Sequence, residues 1–157
     1  MTTVRRLLLP VLLCLSITAC GGASTPVPGT DGVSVDTADG EVRIEAEDGS
    51  VTGGTGTLPT GFPGDAVPIV DGDVQSGMAV DQADQKGWSV VLLVDEPDHA
   101  AAVALLADAG FTAQGEFSAG GTESTQLRSA DWEVLVATAT AGGTATVSYT
   151  VVPAATP

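Results

Sequence analysis

Basic side chains are scarce in this chain. Five Lys and Arg stand against twenty Asp and Glu, a formal net charge of −15 over 157 residues. Nucleic-acid binding rests on clustered Lys and Arg that displace phosphate counterions, and no such cluster occurs here. An acidic surface is likewise repelled by anionic lipid headgroups. Histidine occurs once, at His99, and cysteine twice, at Cys14 and Cys20. No Gly-x-Ser-x-Gly, Ser-x-x-Lys or His-Glu-x-x-His pattern is present, so the usual nucleophile and metallo-hydrolase signatures are missing. The Gly-rich pieces at residues 53–56, 120–121 and 142–143 lack the lysine of a phosphate loop and read as turns. These absences favour a non-enzyme without a cofactor. Long apolar runs are missing too. The longest, residues 7–17, contains Pro10 and is shorter than the roughly 20 residues a membrane span needs.

That short run has a second meaning. Arg5 and Arg6 precede it and the small residues Thr18 and Ala19 follow it, ahead of Cys20. A basic start, an apolar stretch and small residues at the cut describe an export signal. The segment Ile17-Thr18-Ala19-Cys20 resembles the lipobox of bacterial lipoproteins. The resemblance implies cleavage between Ala19 and Cys20, acylation of the Cys20 sulfur (diacylglycerol, palmitate) and a place at the extracytoplasmic face of the cell membrane. Cys14 would leave with the signal and Cys20 would be spent on the lipid, so no thiol would remain for a disulfide, a metal or catalysis. Arg5 and Arg6 would leave as well. Only Arg43, Lys86 and Arg128 would then face the twenty acids.

Residues 20–30 are small, polar and proline-containing and read as a flexible tether. Residues 31–52 carry Asp-Gly at Asp31, Asp39 and Asp48, with Val33, Val35, Val42, Ile44 and Val51 alternating between them. Asp-Gly between alternating residues is a hairpin signal, but an isolated hairpin is marginal in water. A weak β-hairpin segment is therefore expected at residues 31–52, either docked on the main domain or mobile. Residues 53–57 form a linker. A lead-in with Pro59, Pro63 and Pro68 follows; it should run extended and pack Phe62, Val67 and Ile69 on a domain at residues 58–153.

Within that domain, strands are expected at residues 74–80, 88–94, 111–117, 125–129, 132–140 and 144–152. The run WSVVLLV should be a central strand buried on both faces. A helix is expected at 99–109, capped by Asp95, with Pro97 in its first turn and Gly110 just past its end. Its apolar stripe comprises Ala102, Val103, Leu105, Leu106 and Ala109. The order β-β-α-β-β-β-β predicts an α+β fold, a two-layer sandwich with one helix on a mainly antiparallel sheet. The strand-terminal alternation Ala145, Val147, Tyr149, Val151 against Thr144, Thr146, Ser148, Thr150 predicts one dry and one wet face.

His99 lacks any partner at motif spacing and is expected to be exposed and idle. Asp71, Asp73, Asp81 and Asp84 could meet around calcium only if their loops fold back together; solvated loop acids are the plainer reading. Trp88, Trp132, Tyr149, Phe62, Phe111 and Phe117 are expected in the core.

Beyond the lipobox, the segments LPTGFPGDAVPIVDG, GWSVVLLVD, the Ala-rich helix ending in DAGF and the terminal TATVSYTVVP resemble uncharacterised envelope lipoproteins of high-GC Gram-positive bacteria. The resemblance implies no particular activity. The functional expectation is a non-catalytic, lipid-anchored binding or structural module for another envelope component, with an envelope protein and the membrane as partners and nucleic acid excluded. The alternative is a small carrier or binder of an envelope lipid, sugar or metal ion. A cleft with converging polar groups would favour the carrier; a flat apolar surface would favour the module.

Overall fold

The computed structural model describes residues 25–26, 33–38, 40–83 and 85–155. The predicted signal at 1–19, the lipobox with Cys20, most of the tether, and Asp31, Asp39 and Asp84 lie outside the described residues. One antiparallel sheet organises the rest. Its strands are β1 (Thr25–Pro26), β2 (Ser34–Ala38), β3 (Glu41–Ala46), β4 (Gly49–Gly54), β5 (Asp73–Gln82), β6 (Gln85–Val94), β7 (Thr112–Ala119), β8 (Thr122–Arg128), β9 (Trp132–Ala141) and β10 (Thr144–Pro153). A helix, α1 (His99–Asp108), joins β6 to β7.

The strand order is β1-β2-β3-β4-β5-β6-β10-β9-β8-β7. Neighbours in sequence are neighbours in space except at one place. After β6 the chain crosses through α1 to the far edge, then returns as a meander that seats β10 against β6. Turn chemistry drives the return: Gly142 and Gly143, with φ of 61° and 84°, adopt the paired positive φ of a type I′ hairpin turn.

The two-layer sandwich is not what forms. The sheet is far wider than one helix can cover, and α1 packs chiefly on β8 and β9. A helix of ten residues is about 15 Å long, against neighbouring strands about 4.8 Å apart. The rest of the inner face is roofed by the proline-rich lead-in. Val67 is fully buried, and Phe62, Ile69 and Val70 pack against the core. Trp88 Nε1–H donates to the Thr60 carbonyl at 3.2 Å, and the Val70 N–H donates to the Tyr149 hydroxyl at 3.1 Å. Pro59 lies so close over Gly77 that a Cβ there would meet Pro59 Cδ at 2.8 Å.

The inner face is read directly from the ladders. Trp88, Val151, Val134 and Leu127 form one cross-strand row, and Val90, Tyr149, Val136 and Thr125 the next. All eight are buried. Ser89, Val91 and Leu93 point the other way and are only half-buried, so β6 is covered on one face rather than two. β10 shows the expected alternation, with Ala145, Val147, Tyr149 and Val151 buried.

The helix is capped by Asp98, not Asp95. Asp98 Oδ1 accepts from the Ala101 N–H at 2.8 Å, which leaves Pro97 ahead of the cap. At the other end Gly110 has φ +91°, its N–H bonds to the Ala107 carbonyl, and the Phe111 N–H bonds to the Leu106 carbonyl. This is a Schellman closure with its apolar clasp, Leu106 against Phe111. Ala102 and Leu106 are buried, Val103 and Leu105 half-buried, and Ala109 exposed.

Residues 34–54 are not a separate hairpin. They form three strands that continue the sheet, with β4 paired to β5 from Gly49 to Gly54. Two residues of the expected tether, Thr25 and Pro26, pair with β2.

Candidate functional site

The unusual surface is the outer face of the sheet, opposite α1 and the lead-in. Its composition follows from register. One row runs Thr37, Val42, Gly53, Met78, Ser89, Thr150, Leu135, Gln126 across eight strands. The next runs Val35, Ile44, Val51, Val80, Gly87, Val152 and Glu133. A third runs Ser76, Val91, Ser148, Ala137, Ser124 and Phe117.

Two properties set this face apart. Val42, Ile44, Met78, Phe117, Leu135 and Val152 all lie on it, and all are large hydrophobics exposed to solvent; Met78 is 46% exposed and Phe117 65%. The face is also nearly free of charge. Among the described strand residues it carries Asp73 at one rim, and Arg128 with Glu133, which are paired at 2.9 Å. The acids lie elsewhere. On β2 and β3 the inner side bears Asp36, Glu41, Arg43 and Glu45, where the core ends and solvent begins. Scattered exposed apolar residues are ordinary, whereas a contiguous apolar patch marks an interaction surface. A shallow depression of about 750 Å³ runs from Met78, Val80, Ser89, Thr150 and Val152 on this face around the β5–β6 turn to Asp81, Lys86 and Trp88.

The residues singled out by the sequence are dispersed. His99 is half-buried rather than exposed. Its Nε2 lies 2.8 Å from the Thr125 hydroxyl and its Nδ1 3.3 Å from the Thr138 hydroxyl. The imidazole thus ties the helix start to β8 and β9 through two buried hydroxyls. Asp71 and Asp73 precede or open β5 and Asp81 lies near its far end, about 26 Å along an extended strand, so these acids do not converge. No group of three or more His, Cys, Asp or Glu among the described residues is placed to hold a metal. Five of the six aromatics are buried or packed against the core, with Trp88 and Trp132 edge to face at 5.6 Å; Phe117 is the exception. Tyr149 is held above the ordinary phenol value of 10.0 by burial, against the opposing bond from Val70 N–H.

Two further concavities lie chiefly away from this face. A groove of about 870 Å³ separates the start of α1 from β7 and β8, lined by Glu96, Asp98, Glu116, Phe117 and Glu123. A cleft of about 190 Å³ beside the lead-in brings Arg43 and Lys86 near Thr60 and Trp88, but both cations are engaged, with Glu45 at 3.0 Å and Asp81 at 3.2 Å. No family model matches the chain, and neither a curated protein nor a solved structure is significantly similar to it.

Proposed function

We propose that this chain is a non-catalytic, lipid-anchored docking module on the extracytoplasmic face of the cell membrane. The outer sheet face is where it receives another envelope component. The observation that carries the reading is that face: broad, apolar at many positions and almost uncharged, in a strongly acidic chain. Cys20 supplies the anchor in this reading. Thr25 enters the sheet five residues later, so the lipid lies within about 18 Å of the β1 edge. Paired acyl chains hold the protein to the bilayer, and the acidic surface holds its body off anionic headgroups.

The test is membrane capture with three baits: the lipidated chain, the double variant Met78→Glu/Leu135→Glu, and Ala104→Glu on the exposed side of α1. The first and third should retrieve a common component that the double variant loses. Identical retrieval by all three would sink the docking reading. Cys20→Ser should move the chain to the soluble fraction, and a variant that still matures to the acylated, membrane-bound form would refute the anchor.

A further inference from the structure

We infer that the occupant of the outer face is a second copy of this chain, so that two sheets pack face to face as a sandwich. The inference rests on the docking reading and specifies its partner.

The first argument is patterning. On β2 to β4, Val35, Val42, Ile44 and Val51 point outward while Asp36, Arg43 and Glu45 point inward. The inner side of β4 is covered at Thr52, whereas on the outer side Val42 and Ile44 are more than two-fifths exposed and Val35 and Val51 only half-buried. Strict alternation is the mark of a strand with one buried face. The face to be buried is the outer one.

The second argument is area. Nine strands at about 4.8 Å spacing and about 25 Å mean length present on the order of 1,000 Å². A stable interface takes about 800 Å² from each partner. The outer face is large enough for a dimer.

The third argument is charge. Two chains this acidic repel each other through most of their surfaces. Outer faces can meet without opposing unpaired acids, apart from Asp73 at the rim, because Arg128 and Glu133 neutralise each other. A basic partner would instead choose the acidic surfaces. A membrane is a poor match, because interfacial surfaces use Trp, Tyr and several Lys or Arg, and this face offers Arg128 alone among the described strand residues. What fits an uncharged sheet face is another uncharged sheet face of the same twist. Gly53, Gly87, Ser89, Ala137 and Ser148 add little bulk to it, which leaves room for sheets to stack at about 10 Å.

The fourth argument is symmetry. A two-fold axis midway between the faces, running across the strands from β1 to β7, superposes face on face and returns the β1 edge onto itself. Both anchors then reach one membrane, and the strands of the two sheets run nearly aligned, as in sandwiches. Positions near mid-strand, such as Ser89 and Ser148, lie close to this axis and therefore to their own counterparts.

The test uses the full lipidated chain in membranes and in detergent. With Cys14 removed and Cys20 acylated, an introduced cysteine is the reactive thiol. Ser89→Cys should cross-link to a dimer with a short bismaleimide, and Ala104→Cys on α1 should not. In sedimentation, Met78→Glu/Leu135→Glu should weaken self-association at least about a hundredfold, as loss of central contacts does, with an unchanged circular dichroism spectrum. A wild-type chain that stays monomeric at about 100 μM, a dissociation constant typical of weak association, overturns the inference; so does equal cross-linking at both cysteines. If the wild type is monomeric but the double variant still loses its captured component, the dimer falls and the docking reading stands. If the wild type is monomeric and capture is unchanged, both fall.

Discussion

Replacing His99 by alanine should destabilise the protein by about 2 kcal/mol. The magnitude follows from what the imidazole leaves behind. Thr125 and Thr138 are 2% and 4% exposed, and each places its hydroxyl against one ring nitrogen. Among the described residues no buried side-chain N or O lacks a partner, so the substitution creates a defect in an otherwise complete network. An unsatisfied buried hydroxyl costs about 1–3 kcal/mol. Two would cost more, but the Thr138 contact is long at 3.3 Å, and a threonine hydroxyl can rotate toward a backbone carbonyl. About 2 kcal/mol results, against the 0.5 kcal/mol or less expected of an exposed, idle side chain. Urea unfolding at neutral pH measures it, provided the slope is unchanged. Thr125→Val with His99→Ala should recover part of the loss, because removing both partners is milder than orphaning one. A His99→Ala midpoint within 0.5 kcal/mol of wild type would refute the reasoning and return His99 to the surface.

Two further outcomes follow from the same packing. Tyr149→Phe removes the acceptor for the Val70 N–H and should cost about 1–3 kcal/mol at neutral pH. Because burial raises the Tyr149 phenol above 10.0 in the folded chain, its contribution is complete below pH 10 and is lost as pH rises through the folded value. Tyrosinate absorbance should therefore lag behind that of a free phenol until unfolding, and the phenylalanine variant should show a flatter alkaline limb; an ordinary titration in the folded chain would contradict this. A fragment beginning at Leu58 loses β1 to β4 and turns β5 into an edge. It should be less stable than the chain from Cys20 by more than about 2 kcal/mol, well beyond a surface change, and should self-associate through the new edge; equal melting would show that β4 contributes nothing to the core.

Local signals were legible and long-range ones were not. The six strands from β5 to β10 and the helix are marked by alternation, by Gly142-Gly143 and by Gly110, each of which acts within a few residues. The packing of the lead-in was legible from its apolar residues, but its extended course was not, because hydrogen-bonded turns at Pro59–Phe62 and Pro63–Val67 fold it. The layer structure was not, because it depends on sheet width. Nothing near residues 34–54 decides between docking and mobility; pairing of β4 with β5 does. His99 was misplaced because its partners, Thr125 and Thr138, are ordinary strand threonines whose convergence depends on the crossover through α1. The acids around β5 could not be separated from sequence until the strand was seen to run ten residues between them.

The same distinction explains why the outer face matters. Alternation reveals that a strand has two unlike faces, but not which one meets the core. In β10 the apolar set Ala145, Val147, Tyr149 and Val151 turns inward, and the outward set is threonine and serine up to Val152. In β3 the relation is reversed: Val42 and Ile44 turn outward and the charges turn inward. A single sheet therefore changes its apolar side between its middle and its β2 end. The covering material, one short helix and one proline-rich segment, is all on the inner face. If Val42 and Ile44 served only their own fold, they would be free to be polar, because both stand more than two-fifths exposed. Their pattern is that of a buried strand, and burial there requires a second surface. The β2 end is also the end nearest Cys20 in the chain, so such a surface would meet the protein close to its proposed anchor, where two tethered molecules are most confined.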